Sequence, residues 1–149
     1  MTHFGEAGGI THAAQAAGMP VVISFTTETD GRIPTMQTLG NAIQEMDRLT
    51  GNGPAYYMVN CAHHTLFDDA LRADEPWVKR LRGIRANTST KSHEELDNST
   101  ELDQGNPTEL GAQYQAIRER MPHVTILGGG CGTDHRHVAQ TCSACRLAA

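Results

Sequence analysis

Short β-branched runs alternate along this chain with longer stretches whose apolar residues recur at helical spacing. That alternation constrains the fold more than any other feature. Val21-Val22-Ile23-Ser24-Phe25 reads as a buried strand. Residues 55–60, 83–87 and 124–127 repeat the pattern, the third of them led in by residues 77–82. Thr38 opens a helix whose apolar stripe is Leu39, Ala42, Ile43, Met46 and Leu49, with Gly51 as its stop. A short helix is predicted over 64–73. Another starts at Asn106-Pro107, with Pro at the first helical position and Leu110, Tyr114 and Ile117 on one face. The last helix is predicted over 133–145, and an alanine-rich helix over 6–17, stopped by Gly18-Met19-Pro20, precedes the first strand. Four strands, each followed by a helix, imply a parallel α/β sheet. It closes either as a small open sandwich or as part of a (β/α)8 TIM-type barrel, and in both the C-terminal strand ends carry the function.

Composition narrows the class further. A chain of 149 residues with 38% hydrophobic content can bury one core, and no linker divides it, so residues 1–149 are expected to form a single domain. No apolar run approaches the roughly 20 residues of a membrane span. A formal charge of −5, with no basic cluster beyond Lys79-Arg80-Leu81-Arg82, argues against a nucleic-acid partner. The first residues lack the basic flank and apolar core of a secretory signal, so the four cysteines are read as reduced thiols and the expected location is cytoplasmic.

Two of those cysteines end predicted strands. Cys61 follows Tyr57-Met58-Val59-Asn60, and Cys131 follows Ile126-Leu127-Gly128-Gly129-Gly130. Parallel strands bring such ends to one side of the sheet, and convergent thiolates suit zinc above all. Thr26, Glu28 and Asn60, also at strand ends, are candidate substrate contacts. Of Arg85 and Asn87, one is expected to face the site. The acidic loop 88–106 is long enough to expect a functional or mobile role. Gly128-Gly129-Gly130 before a helix offers a rival reading, a metal-free cradle for a phosphorylated ligand. Cys142-Ser143-Ala144-Cys145 has C-x-x-C spacing, preceded by His137, but a single such pair is a weak metal or redox signal. Asp134 is expected to support the start of the last helix electrostatically.

The segments Gly18-Met19-Pro20-Val21-Val22-Ile23-Ser24-Phe25, Tyr57-Met58-Val59-Asn60-Cys61-Ala62-His63, Arg82-Gly83-Ile84-Arg85-Ala86-Asn87 and Leu127-Gly128-Gly129-Gly130-Cys131-Gly132-Thr133-Asp134 together resemble the homocysteine S-methyltransferase family, in the family's order and over essentially the whole chain. The resemblance implies a zinc-dependent (β/α)8 barrel that moves a methyl group from a sulfonium donor to the thiol of homocysteine, giving methionine. It implies S-methylmethionine or S-adenosylmethionine as donor, with betaine behind them. Its three zinc thiolates come from an Asn-Cys motif and a Gly-Gly-Cys-Cys-Gly-Thr motif. Cys61 matches the first and Cys131 the second cysteine of the pair.

Two departures follow from the same comparison. Gly130 stands where the family places the pair's first cysteine, so one ligand position is lost. A complete (β/α)8 domain needs roughly 250 residues, so the chain matches only the C-terminal half, a partial domain from an internal start or a truncated product. Its closure would then need a second copy or a separate N-terminal half-barrel. With two thiolates, zinc would need a further donor, for which His63 and then His64 are the nearest candidates. An inactive fragment or assembly subunit is the alternative reading.

Overall fold

The computed structural model describes residues 1–61, 63, 75–91, 94–95 and 98–146. Four strands are present, β1 (Val22–Thr26), β2 (Tyr56–Asn60), β3 (Leu81–Ala86) and β4 (Ile126–Gly129). They lie side by side in chain order, and every pairing is parallel. Around them run α1 (Phe4–Ala16), α2 (Leu39–Thr50), a 3₁₀ turn (Pro76–Arg80), α3 (Pro107–Arg120) and α4 (His135–Ala144). Among the described residues, this sequential parallel order, with α2 between β1 and β2 and α3 between β3 and β4, is consistent with half a (β/α)8 barrel. The helix expected over 64–73 lies outside the described residues.

Local chemistry sets the ends of these elements. The Thr38 side chain accepts from Asn41 N–H at 3.2 Å to start α2, and Gly51, at φ 60°, ends it in the left-handed conformation that suits glycine. Asn106 caps α3 by accepting from the N–H groups of Thr108 and Glu109, with Pro107 at its first position. Residues 77–82, expected only to lead into a strand, divide between the 3₁₀ turn and the start of β3. A register shift between Tyr57 and Met58 leaves Arg82 as an extra residue in β3, so Leu81 and Ile84 both reach the core despite their odd spacing. The fourth strand begins later than its sequence suggests, because Val124 closes a turn onto Met121 O before the ladder starts.

One face of the sheet is covered. Ile23, Phe25, Tyr57, Val59, Leu81, Ile84 and Ala86 pack against Leu39, Ala42, Ile43 and Met46 of α2 and Leu110, Tyr114 and Ile117 of α3. Burying each large side chain of this set stabilises by about 1.5–3 kcal/mol relative to exposure. Leu49, expected on the same stripe, is instead 46% exposed at the α1 side of α2, within contact range of Gly8. The other face is open among the described residues. Val22, Met58, Arg85 and Ile126 stand there half-buried or exposed, and Met58 folds across Gly83, where a Cβ would collide with it. No helix among the described residues is long and apolar enough to cross a membrane.

Candidate functional site

The C-terminal strand ends meet in a cleft of about 420 Å³. Cys61 enters it from the end of β2, Asn87 and Ser89 from beyond β3, Cys131 and Gly132 from beyond β4, and residues 99–103 form its far wall. The two thiols singled out in the sequence therefore share one space. All four cysteines are free, and Cys142 and Cys145 line a different cavity, between α4 and β4.

Cys61 sits in a left-handed backbone conformation, φ 62°, that costs a residue with a Cβ roughly 1–2 kcal/mol. Its N–H donates to Arg85 O at 3.2 Å, which fixes the peptide against β3. Its sulfur accepts from Asn60 Nδ2 at 2.8 Å. Backbone strain held by surrounding bonds clusters at working sites. Asn60, a candidate substrate contact, spends both amide hydrogens on Cys61 Sγ and on Thr26 Oγ1 at 3.1 Å, while its Oδ1 accepts from Ser24 at 2.6 Å. Thr26 is thereby part of the same network, buried at the end of β1. Glu28 lies in the following turn, where its N–H donates to Arg32 O, and does not line the cleft.

Asn87 organises the other thiol. It is buried, and its Oδ1 accepts from Cys131 N–H at 2.9 Å. The same oxygen fills the space a Cβ on Gly130 would need, so the glycine and the asparagine are sterically coupled. Gly132, at φ 84°, lies against Thr88 Oγ1 and Asp103 O with no room for a side chain. Thr88 Oγ1 donates to Asp103 O at 2.6 Å and so ties the far wall to the strand ends. The Ser89 hydroxyl and the Gly105 N–H hold the Asp103 carboxyl below the usual carboxylate range. Of the pair Arg85 and Asn87, it is Asn87 that lines the cleft, while Arg85 remains on the open sheet face and donates to Gly129 O. Ser24 and the wall residue Ser89 were not marked as site residues by the sequence, and Glu101 and Asp103 were marked only as acidic residues of loop 88–106.

His63 occupies a separate small cavity with Thr88, Asn106, Glu109, Leu110 and Gln113, against the start of α3. Burial pushes its imidazole below the usual histidine range, and the charge of Glu109 opposes that shift. His64 lies outside the described residues. Three donors that the phosphate-cradle reading would use are already taken, because the N–H groups of Gly130, Cys131 and Thr133 bond to Ala86 O, Asn87 Oδ1 and Gly130 O. Asp134 acts on α4 by direct hydrogen bonding, as part of a capping box. It accepts from Arg136 N–H at 2.9 Å while His137 Nδ1 accepts from the Asp134 N–H at 3.1 Å.

The fit to zinc is partial. Two soft sulfurs face one cleft, which is half of a tetrahedral donor set. Among the described residues no group of three or more His, Cys, Asp or Glu gathers to complete it. The family model described as homocysteine S-methyltransferase matches residues 1–145, and the chain belongs to that family. No curated protein matches it.

Proposed function

From that membership as premise, we propose that the chain forms the thiol-bearing half of a methyltransferase site that methylates the sulfur of homocysteine to give methionine. The observation that carries this reading is the convergence of Cys61 and Cys131 on one cleft at the strand ends. Cys61 and Cys131 would hold zinc as two of its ligands, with a third protein donor missing at Gly130. When bound, zinc supplies one thing the chain lacks: it keeps a sulfur ligand deprotonated at neutral pH, where a free thiol of pKa about 8.5 is largely protonated. The chain's own residues place the two sulfurs. Asn60 fixes the first from β2, and Asn87 fixes the loop of the second from beyond β3. A sulfonium such as S-methylmethionine or S-adenosylmethionine is the donor class we assign, by family, and the cytoplasm the compartment.

The open sheet face favours a site completed by further chain. We assign that role to a separate N-terminal half-barrel or to a second copy, so that residues 1–149 make a partial domain. The test is methionine formation from homocysteine and S-methylmethionine, using the full chain mixed with the four N-terminal βα units of a family member and supplied with zinc. Activity that depends on both Cys61 and Cys131 supports the reading. Full activity in Cys61→Ala and Cys131→Ala would sink it. Zinc binding with no turnover in any combination would favour the second reading, an inactive assembly subunit, which the loss of a ligand at Gly130 makes specific.

A further inference from the structure

The Cys61 sulfur is specified from a neighbouring strand. Thr26 and Asn60 are direct partners in the β1–β2 ladder, and Ser24 stands diagonally across on the same open face. An amide carbonyl only accepts and an amide nitrogen only donates. The Ser24 hydroxyl donates to Asn60 Oδ1 at 2.6 Å and so anchors the oxygen end of the amide toward Ser24. With the oxygen held there, Nδ2 faces Thr26 Oγ1 and Cys61 Sγ, and both of its hydrogens are used. Nothing in this chain of contacts needs Ser24 to touch the cleft, and it does not line it.

We propose that Ser24 is a positioning residue for the Cys61 thiol, acting through the Asn60 amide. The proposal rests on the reading of Cys61 as a working thiol, and adds the residue that aims it. Without the Ser24 hydroxyl, the amide is free to rotate, the Nδ2 donor leaves the sulfur, and Cys61 swings about χ1 on its strained backbone. Partners of this kind, one shell out from a ligand, commonly affect metal affinity by 10–100-fold when lost.

The experiment compares the full wild-type chain with Ser24→Ala and Ser24→Thr. Iodoacetamide labelling at one fixed pH is followed at each cysteine by mass spectrometry, with Cys131 as internal reference for the fold. Ser24→Ala should change the ratio of Cys61 to Cys131 labelling rates by about threefold or more, the scale of one hydrogen bond. Ser24→Thr, which keeps the hydroxyl, should return it to the wild-type value. An equal ratio in all three proteins would overturn the proposal. The same change in Ser24→Thr would also overturn it, since the effect would then lie in strand packing. Cadmium titration, read by thiolate-to-metal absorbance, separates this from the metal reading. Binding unaffected by Cys61→Ser would sink the metal reading, while the labelling ratio still decides Ser24. If Cys61 does bind cadmium, Ser24→Ala should weaken binding about tenfold.

Discussion

Two residues at the strand ends carry costs that only their positions explain. Cys61 holds a left-handed backbone that glycine adopts freely, so Cys61→Gly should be more stable than Cys61→Ala by about 1 kcal/mol, measured from urea unfolding midpoints. Equal stability would mean that the strain is not stored there. Gly130 poses the converse problem. Restoring a cysteine returns the family's third sulfur and should tighten zinc binding, but its Cβ enters the space of Asn87 Oδ1 and displaces the acceptor of Cys131 N–H. Gly130→Cys should therefore cost about 1–3 kcal/mol of stability while raising zinc affinity. Adding Asn87→Ala should recover part of the packing cost. Unchanged zinc affinity would show that position 130 does not face the metal. The cysteines at 61 and 131 were legible in the sequence because a thiol ending an apolar strand is rare and chemically specific. Ser24 was not, and Asn87 only as one of two strand-end candidates with Arg85, because a serine or asparagine carries no periodic signal and acquires its role from a partner distant in the chain.

The elements are tied together by a few polar groups buried between them. Tyr114 reaches from α3 into the gap between β3 and β4, where its hydroxyl donates to Gly128 O at 2.6 Å and accepts from Ala86 N–H at 2.9 Å. Tyr114→Phe removes both of these hydrogen bonds and should cost about 1–2 kcal/mol. Burial also pushes the Tyr114 phenol up to about 12 from the model-compound value of 10.0. Its folded pKa lies above its unfolded one, so the stability it contributes is complete below pH 10 and is lost as pH rises toward 12. Unfolding midpoints should fall through that window, and fall less steeply in Tyr114→Phe. A second tie joins α2, β2 and the 3₁₀ turn. Arg80 grips Asp47 with two bonds of 2.9 Å while the Tyr57 hydroxyl donates to the same carboxylate at 2.8 Å. Its guanidinium also donates to Pro54 O at 2.6 Å and lies 5.4 Å from the Tyr57 ring centre. Arg80→Lys keeps the charge but loses the planar fork, and should still destabilise by about 1–2 kcal/mol. The strands and α2 could be read from the sequence because β-branched runs and the Leu39–Met46 stripe are periodic. Their edges shifted where one local event overrode the pattern, as at the bulge on Arg82 and the Val124 turn. Lys79-Arg80-Leu81-Arg82, noted in the sequence only as a basic cluster, conceals a half-buried clamp because charge alone does not reveal its partner.

At the scale of the whole molecule, the sheet has one packed face and, among the described residues, one open one. Ile23, Phe25, Tyr57 and Val59 are sealed under helices, while Val22, at 38% exposure, looks outward with Met58 and Ile126 beside it. Apolar groups on an uncovered parallel sheet are unusual, since such sheets are normally buried on both faces. The free side of β1 is already bridged at one point, where the Met1 ammonium donates to Ser24 O at 2.7 Å and Thr26 N–H donates to Met1 O at 2.9 Å. That is the bond pattern of a parallel neighbour set beside Phe25, so this edge is shaped to continue the sheet in the same sense. An edge and a face of this kind favour association. The chain alone should therefore self-associate or bind a hydrophobic dye, as measured by light scattering and fluorescence, and its methyl transfer should stay near background even with zinc. Adding the N-terminal four βα units of a family member should lower dye binding and sharpen the unfolding transition, because Val22, Met58 and Ile126 would then lie inside a closed barrel. Charged replacements on the open face, such as Met58→Glu, discriminate further: they should improve the solubility of the chain alone and weaken its response to the added half. A monodisperse monomer that unfolds cooperatively and makes methionine unaided would overturn the half-barrel reading, and would require the open face itself to bind homocysteine.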